Sequence, residues 1–315
     1  MKDITSEKKP KFVDRFVTVN GQNRASVALS NPETLWFNTG TLCNIECSNC
    51  YIASSPTNDD LVYLTSDDVA EYLEQLSEIG WGVTEIGITG GEPFMNPDIL
   101  DILRRALKRG YDVLVLTNAM APMMRPKVQR GLQDLHSEFG EKLALRVSLD
   151  HYQQEKHDQE RGTGSFAKTI TGMSWLRDIG IKTAVAGRIE FADSEQSARD
   201  GYAELFKELS FSINAYDPSQ TVLFPEMDVT ADVPEITTSC WGILGKSPDD
   251  VMCASSRMVV KRKGEIQPTV LACTLIAYDQ AFELGSTLKE SEQDVYLNHP
   301  HCAKFCVLGG ASCTA

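Results

Sequence analysis

The sequence predicts an α/β fold: a partial (β/α)6 barrel of the TIM type with a small cysteine-rich C-terminal domain. Two observations support this. Strand-like and helix-like segments alternate from Thr34 onward, and beyond about Thr230 the long periodic helices give way to short segments rich in Pro, Gly and Cys. Such alternation is typical of a mainly parallel sheet with crossover helices. We therefore expect the barrel over residues 34–230 and the cysteine-rich domain over residues 231–315.

Size and charge limit the function classes. The 315 residues, of which 42% are hydrophobic, can form one large domain and a smaller one with a real core. A formal net charge of −14 disfavours nucleic acid as the principal partner. No apolar run approaches the roughly 20 residues that a bilayer span needs, and the first residues lack the apolar segment of a signal peptide. We expect a cytoplasmic location and no membrane partner.

The first element expected is a hairpin in an N-terminal extension, residues 1–33, with its turn at Asn20-Gly21. Six barrel strands should follow, each a short run rich in apolar and β-branched residues. They cover residues 34–38, 83–88, 112–117, 143–150, 182–190 and 221–224.

The helices between these strands have recognisable ends. Thr65 or Ser66 should cap the first helix, which stops at Gly80. Asn96-Pro97-Asp98 should open the second, with Asn96 as the cap and Pro97 at the first helical position. A third helix runs from Ser165 to Gly180. Six βα units favour a partial barrel, in which catalytic groups gather at the carboxyl ends of the strands.

A CxxxCxxC loop, formed by Cys43, Cys47 and Cys50, directly follows the first barrel strand. Three thiolates can ligate three irons of a 4Fe-4S cluster and leave the fourth iron open. A structural zinc site needs a fourth ligand, and no other Cys or His lies nearby in the sequence. An electron-transfer ferredoxin would need a fourth ligand as well. The loop therefore predicts a catalytic cluster.

The loop and its position resemble the radical S-adenosylmethionine (SAM) superfamily, over roughly residues 34–225. The resemblance implies that the open iron binds the methionine moiety of SAM. It also implies that an electron from the cluster cleaves SAM to a 5'-deoxyadenosyl radical, which abstracts hydrogen from a substrate carbon. Asn49 is a departure, because many members have an aromatic residue before the last cysteine. We expect only local packing to differ there.

Gly90, Gly91 and Glu92 at the end of the second strand match the GGE motif of this family. Glycines let a backbone approach a ligand closely, and a carboxylate can accept a hydrogen bond from a cationic amine. The resemblance implies that Glu92 accepts from the amine of SAM. Without the cysteine loop before it, the same motif would indicate only a turn.

Alternation along the fourth strand places Arg146, Ser148 and Asp150 on one face, which should point into the barrel. By resemblance, Ser148 contacts the nucleoside part of SAM, and Asp150 is a second candidate. Thr117 and Asn118, which end the third strand, resemble a pair that lies near the methionine carboxylate in relatives. The alternative is that these two side chains only form local hydrogen bonds at the end of the strand.

The fifth strand carries Arg188 and Glu190 on one face, a pair that could meet the cofactor carboxylate or the substrate, or form an ion pair. His151 and His157 follow the fourth strand in a polar segment, where solvated histidines are the expectation. Arg161 lies in the same segment, and the sequence does not decide whether its side chain contacts solvent or the active site.

The tail carries six cysteines, Cys240, Cys253, Cys273, Cys302, Cys306 and Cys313. Cys253 and Cys273 flank a predicted hairpin that turns at Lys263-Gly264. This arrangement resembles the twitch or SPASM extensions of radical enzymes, which house auxiliary iron-sulfur clusters. We expect Cys253, Cys273, Cys302 and Cys306 to hold one auxiliary 4Fe-4S cluster. Cys313, Cys240, His299 and His301 are alternative ligands, and the spacings fit zinc equally well.

These observations predict a radical SAM enzyme that works on a small molecule, with net oxidation or bond formation through the auxiliary cluster. Only about 30 residues precede the first barrel strand, fewer than a peptide-binding domain needs. A maturase of a ribosomally synthesised peptide is the alternative. A non-catalytic iron-sulfur or zinc protein for electron transfer or sensing is a third hypothesis. Ferredoxin or flavodoxin is the reductant expected for the family.

Overall fold

The computed structural model describes residues 10–189, 194–225 and 232–309. Two residues singled out from the sequence, Glu190 and Cys313, lie outside the described residues. So does the predicted domain boundary at residue 230. Among the described residues, no helix combines the length and the apolar character needed to span a membrane.

The described residues contain ten strands and seven α-helices. The strands are β1 Ser26–Val27, β2 Thr34–Asn38, β3 Glu85–Thr89, β4 Asp112–Thr117, β5 Leu143–Ser148, β6 Lys182–Arg188, β7 Thr221–Phe224, β8 Ser256–Val260, β9 Thr269–Leu271 and β10 Val295–Tyr296. The helices are α1 Ser66–Ile79, α2 Ile99–Lys108, α3 Pro126–Phe139, α4 Gln154–Arg161, α5 Ser165–Asp178, α6 Glu195–Glu208 and α7 Cys240–Leu244, with a π-helix at Cys302–Leu308. Short 3-10 turns occupy Pro93–Met95, Gly140–Lys142, Pro248–Asp250, Met252–Ala254, Gln280–Phe282 and Glu290–Glu292.

The six predicted barrel strands form a single parallel sheet in chain order, from β2 to β7. Helices connect successive strands, so the predicted (β/α)6 architecture is confirmed. Because the strands are parallel, their carboxyl ends meet at one edge of the sheet. The register pairs Asn38 with Thr89 and Ser148 with Ala186, which brings the predicted site segments together at that edge.

The tail continues the same sheet. Strand β8 pairs with β2 in parallel, and β9 pairs with β8 in antiparallel, giving the order β7-β6-β5-β4-β3-β2-β8-β9. The β8-β9 pair is the hairpin predicted between Cys253 and Cys273. The cysteine-rich segment therefore shares main-chain hydrogen bonds with the barrel.

The first helix begins and ends where the sequence predicts. The Thr65 hydroxyl accepts from the amide of Asp68, and the Asp68 carboxylate accepts from the amide of Thr65, which together form a capping box. The helix ends at Gly80, which has φ of +68°. This left-handed conformation favours glycine.

Two local predictions hold only in part. Helix α2 begins at Ile99 after Asp98, two residues later than predicted. Asn96 nevertheless makes the hydrogen bond of a capping residue, because its side-chain oxygen Oδ1 accepts from the amide of Asp98 at 2.8 Å, while its side-chain amide donates to the carbonyl of Leu64. The predicted N-terminal hairpin around Asn20-Gly21 is present but short, with an antiparallel bridge between Val17 and Asn23 and a hydrogen bond from the Thr18 amide to the Gln22 carbonyl. Its second strand, β1, pairs with β10 of the tail.

Candidate active site

The cysteines of the CxxxCxxC loop lie at the carboxyl end of β2 and line one cavity together. A β-bridge between Leu42 and Ser55 closes the loop at its base. The backbone amide of Ser54 donates to Sγ of Cys50 at 3.2 Å. Hydrogen bonds of this kind to sulfur are typical of iron-sulfur sites, where they tune the reduction potential.

The three thiols influence one another. Burial, with smaller contributions from nearby groups that include Cys47 and Cys50, raises the pKa of Cys43 to about 12. Burial also raises the pKa of Cys47, although the neighbouring Arg161 acts in the opposite direction. Such thiols lose their protons when they bind a metal. Three cysteines that line one cavity are the donor set that a cluster with one open coordination position uses.

The two glycines of the GGE motif line the cavity. They also lie so close to neighbouring backbone atoms that a side chain would not fit there. A Cβ atom on Gly91 would lie 2.3 Å from the carbonyl oxygen of Leu42, and one on Gly90 would lie 2.6 Å from that of Gly40. The amide of Gly91 donates to the Gly40 carbonyl at 2.8 Å. The motif thus packs the end of β3 against the start of the cysteine loop.

Glu92 lies behind the cavity wall. Its carboxylate accepts hydrogen bonds from the Thr117 hydroxyl at 2.8 Å, from the Asn118 amide at 2.9 Å and from the Phe94 amide at 3.2 Å. Burial raises the pKa of Glu92 to about 7, against the effect of these donors. The side chain therefore ties the end of β3 to the end of β4, and it is not among the residues that line the cavity.

The alternation predicted for the fourth strand is confirmed, because Arg146, Ser148 and Asp150 all line the cavity. Asp150 accepts from Arg161 Nε at 2.6 Å and lies 3.5 Å from Arg188 Nε. Burial opposes ionisation of Asp150, but the two guanidinium groups outweigh it and hold the pKa of this carboxyl below its usual range. The cavity therefore contains an ionised carboxylate that binds two arginines.

Helix α4 holds the cysteine loop from outside the barrel. Glu160 Oε2 accepts from the Ser48 hydroxyl and from the Asn49 side-chain amide, both at 2.6 Å. The amide of Ser48 donates to the Glu160 carbonyl at 3.0 Å. Asn49, which departs from the family pattern, thus has a polar partner on α4.

Two histidines of this region are buried, so the expectation of solvated side chains was wrong. His151 and His157 are both 0% exposed. Burial lowers the pKa of each to about 4, which keeps both rings neutral at pH 7. Arg161, ambiguous from the sequence, ends α4 and lines the cavity. The polar composition of the segment concealed its contact with the barrel.

The cavity also has apolar lining residues, which were not predicted. Tyr51, Ile52, Leu116, Ala186, Phe224, Leu275 and Phe305 line it. The rings of Phe224 and Phe305 lie 5.4 Å apart with an interplanar angle of 31°. Phe305 and Leu275 come from the cysteine-rich tail. The tail therefore completes the cavity that the barrel strands begin.

Four tail cysteines, Cys253, Cys273, Cys302 and Cys306, influence one another electrostatically. Burial raises the pKa of Cys302 well above its usual value, and Cys273, Cys306 and Cys253 each contribute to that rise. Burial raises the pKa of Cys253 to about 12, with a contribution from Cys273. These are the four residues predicted to share one auxiliary cluster.

The alternative tail ligands have other contacts. Cys240 Sγ lies 3.4 Å from both the amide and the hydroxyl of Thr237. The rings of His299 and His301 lie 4.8 Å apart, and His299 Nδ1 accepts from the amide of His301. No group of three or more His, Cys, Asp or Glu side chains in the described ranges is arranged to hold a metal ion. The expectation of a cluster at the four tail cysteines therefore rests on their thiol chemistry and their mutual electrostatic effect.

Comparison with protein families identifies the barrel. Residues 37–189 match the family model of the radical SAM superfamily. They form a radical SAM domain. The match begins in β2 and includes the cysteine loop, the GGE motif, the cavity face of β5 and Arg188. Proteins of this family use a 4Fe-4S cluster and SAM.

Curated relatives of the radical SAM domain include a bacteriocin biosynthesis protein and a heme synthase. AlbA of Bacillus subtilis, an antilisterial bacteriocin subtilosin biosynthesis protein, is 32% identical over 197 residues, which are 60% of this chain and 41% of AlbA. An AdoMet-dependent heme synthase of Methanosarcina barkeri is 27% identical over 58% of this chain and 50% of its own. The chain thus spans about half the length of these relatives or less.

Solved structures share the fold beyond the radical SAM domain. Streptococcus suis SuiB bound to its precursor peptide SuiA aligns with a TM-score of 0.61 at 14% identity, over 84% of this chain and 64% of that one. Native anSMEcpe with bound AdoMet aligns with a TM-score of 0.58 at 15% identity, over 87% of this chain and 83% of that one. The similarity therefore includes much of the cysteine-rich tail.

Proposed function

We propose that this chain is a radical SAM enzyme that removes a hydrogen atom from an unactivated carbon of its substrate. The observation that carries the proposal is the composition of one cavity. Three thiols share it with two arginines bound to Asp150 and with the polar carboxyl ends of three strands. The match to the radical SAM superfamily supports the same assignment.

In this proposal Cys43, Cys47 and Cys50 hold the 4Fe-4S cluster. The cavity-lining residues Gly90, Gly91, Thr117, Ser148, Asp150 and Arg188 contact SAM. When bound, the cluster and SAM supply a 5'-deoxyadenosyl radical that abstracts hydrogen. Glu92 acts indirectly, because its carboxylate positions Thr117 and the backbone of Asn118.

The residues of the chain provide binding, orientation and exclusion of water. Asp150 fixes the guanidinium groups of Arg161 and Arg188, whose other N–H groups can bind the carboxylate of SAM. The apolar lining residues, which include Phe224 and Phe305, keep water from the substrate carbon.

We propose a peptide as the substrate, with a small molecule as the second candidate. AlbA is a bacteriocin biosynthesis protein and SuiB binds its precursor peptide, and both are similar to this chain. The heme synthase and a GTP 3',8-cyclase of Lactiplantibacillus plantarum, 26% identical over 44% of this chain, support the small molecule. Incubation with a precursor peptide encoded beside this gene, followed by mass spectrometry, distinguishes them. A mass decrease of about two hydrogens supports oxidative peptide modification.

The auxiliary centre is part of the proposal. Cys253, Cys273, Cys302 and Cys306 would hold a second 4Fe-4S cluster that takes up the electron left on the substrate. Ferredoxin or flavodoxin would reduce the first cluster in the cytoplasm. Zinc is the alternative metal for the four thiols, and metal analysis of the reconstituted protein separates the two.

Anaerobic reconstitution tests the proposal. About eight irons per chain, and 5'-deoxyadenosine formed from SAM with dithionite, are expected. Cys47→Ala should abolish 5'-deoxyadenosine, whereas the matched variant Cys240→Ala should retain it. Four irons per chain together with bound zinc would show that the tail cysteines bind zinc in place of an auxiliary cluster. Reconstituted wild-type protein that forms no 5'-deoxyadenosine would favour the non-catalytic electron-transfer or sensor hypothesis.

A further inference from the structure

A second cavity lies at the amino ends of the parallel strands, the end of the barrel away from the cysteine loop. It is lined by Glu85, the first residue of β3, and by Lys182, the first residue of β6. Phe211 and Gln220, from the segment between α6 and β7, also line it. Its volume of about 510 Å³ falls within the range of small-molecule pockets, roughly 300–1,000 Å³. The second cavity is therefore large enough for a small molecule.

Small side chains on two neighbouring strands keep this space open. Ala144 of β5 and Ala184 of β6 both line the second cavity. Ala144 pairs in register with Lys182, and Ala184 pairs with Arg146. Bulky branched side chains dominate the interior of complete (β/α) barrels. Alanines at these two positions leave a volume that such side chains would fill.

Arg146 lines both the second cavity and the active-site cavity. Its side chain is buried, with 2% of its surface exposed. Two residues further along each strand, Ser148 and Ala186 line the active-site cavity and not the second one. Because side chains on one face of a strand recur every two residues, the two cavities follow each other along the same face of β5 and β6. The second cavity therefore adjoins the active site at Arg146.

The charged side chains of the second cavity favour a ligand with one negative charge. Arg146 and Lys182 line it together with Glu85, which is the one carboxylate among its described lining residues. A third cation, Arg177, donates from Nε to the carboxylate of the adjacent Asp178 at 2.9 Å, so its charge is compensated. Two cations and one carboxylate leave a single positive charge. Lys182 is exposed, and its ammonium can donate to an anion in the cavity.

Apolar side chains supply the other part of the lining. Leu114, Met173 and Phe211 line the second cavity, and all three are buried. Small-molecule pockets combine such apolar walls with a few polar groups that fix the orientation of the ligand. Methionine and aromatic side chains are suited to packing on an apolar ring. The lining therefore matches a ligand that has an apolar body and one anionic group.

We propose that the second cavity binds a small organic monocarboxylate. Its carboxylate lies at Lys182 and Arg146. Its apolar body packs on Met173 and Phe211. A phosphate ester has a second pKa of about 6 and would bring close to two charges toward Glu85, so a carboxylate is the class that fits. The site is separate from that of the proposed function, and its ligand binding requires neither an iron-sulfur cluster nor SAM.

Equilibrium dialysis of the anaerobically reconstituted full chain tests this site with two matched probes. Dansylglycine carries one carboxylate on an apolar ring system, and dansylamide has the same rings without the charge. We expect about one dansylglycine per chain, bound about tenfold more tightly than dansylamide. Equal affinity for the two probes, or no saturable binding of dansylglycine, would overturn the proposal.

Variants of one lysine test the contact with the carboxylate. Lys182→Ala should weaken dansylglycine binding about tenfold, and Lys182→Arg, which keeps the charge, should retain most of it. Lys142→Ala removes an exposed lysine that does not line the second cavity, and it should bind dansylglycine as the wild type does. The same affinity in Lys182→Ala and Lys142→Ala would contradict the assignment.

A leucine placed in each cavity in turn shows which of them holds the probe. Ala184→Leu narrows the second cavity and should abolish dansylglycine binding, whereas Ala186→Leu narrows the active-site cavity and should preserve it. The reverse pattern would place the probe in the active site and overturn the proposal. Because Lys182 is exposed, its variants test the second cavity even where Ala184→Leu does not fold.

These measurements do not involve cleavage of SAM. Wild-type protein that forms no 5'-deoxyadenosine but binds dansylglycine in this pattern would remove the enzyme proposal and keep the second site. Normal 5'-deoxyadenosine without dansylglycine binding would remove the second site alone. The two failures are therefore distinguishable.

Discussion

Arg161 donates two hydrogen bonds to the carboxylate of Asp150, from Nε at 2.6 Å and from Nη2 at 3.1 Å. Arg188 approaches the same carboxylate from β6 and also donates to the carbonyl of Asn49 at 3.0 Å. One carboxylate at the end of β5 thus connects α4, β6 and the cysteine loop. This connection explains why residues distant in sequence share one cavity.

Replacing Asp150 should destabilise the protein strongly. Asp150→Ala removes the carboxylate that two buried guanidinium groups share, and we expect the free energy of unfolding to fall by about 3–5 kcal/mol in urea denaturation. Glu138→Ala, which removes the partner of the partly exposed Arg104, is the matched control and should change it by less than about 1 kcal/mol. Equal losses in the two variants would show that Asp150 is not a buried anchor.

Glu92 should make stability depend on pH in an unusual direction for a carboxyl group. Its pKa is raised from 4.5 to about 7 in the folded protein, so the folded state binds a proton that the unfolded chain releases. The Glu92 contribution to stability is complete below pH 4.5 and declines by about 3 kcal/mol as the pH rises to 7. Unfolding at pH 5 and pH 7.5 should show this decline in wild-type protein and not in Glu92→Gln. The same pH dependence of stability in wild-type protein and in Glu92→Gln would contradict this role of Glu92.

Gly91→Ala should disturb the cysteine loop. The added Cβ would meet the carbonyl oxygen of Leu42 at 2.3 Å, and this backbone atom cannot move without shifting the loop. We expect a loss of about 1–3 kcal/mol in the free energy of unfolding, with reduced iron uptake at Cys43, Cys47 and Cys50. Gly242→Ala is the control, because a Cβ there meets nothing within 4 Å. Normal iron uptake in Gly91→Ala would contradict the role assigned to the motif.

Glu160 should protect the cluster held by the loop. Glu160→Ala removes the acceptor of Ser48 and Asn49, and we expect the visible absorption of the reconstituted cluster to bleach in air about tenfold faster. Glu155→Ala changes an exposed carboxylate on the same helix and should bleach at the wild-type rate. Both variants are compared in a Cys306→Ser background, so that a metal centre in the tail does not contribute to the visible absorption. Identical rates would show that α4 does not support the loop.

Local patterns were sufficient to predict the strands and the first helix. Strands β2, β4 and β7 have the predicted bounds, and α1 has its predicted cap and stop. These features depend on side-chain alternation and capping, which act within a few residues. Helix α2 begins two residues later than predicted, although Oδ1 of Asn96 does accept from the amide of Asp98. The other hydrogen bond of Asn96, to Leu64, is a tertiary contact that the local sequence does not contain.

The sequence by itself determined that three cysteines follow a strand, that a GGE motif follows the next, and that Ser148 and Asp150 share a face. Each statement follows from spacing along one segment. The tertiary structure alone decided that Glu92 lies behind the wall, that Arg161 enters the cavity, and that Phe305 completes it. These contacts join residues separated by 11 to 81 positions, such as Asp150 with Arg161 and Phe224 with Phe305. Such contacts form only when parallel strands bring their carboxyl ends to one edge, and periodicity within a segment contains no information about them.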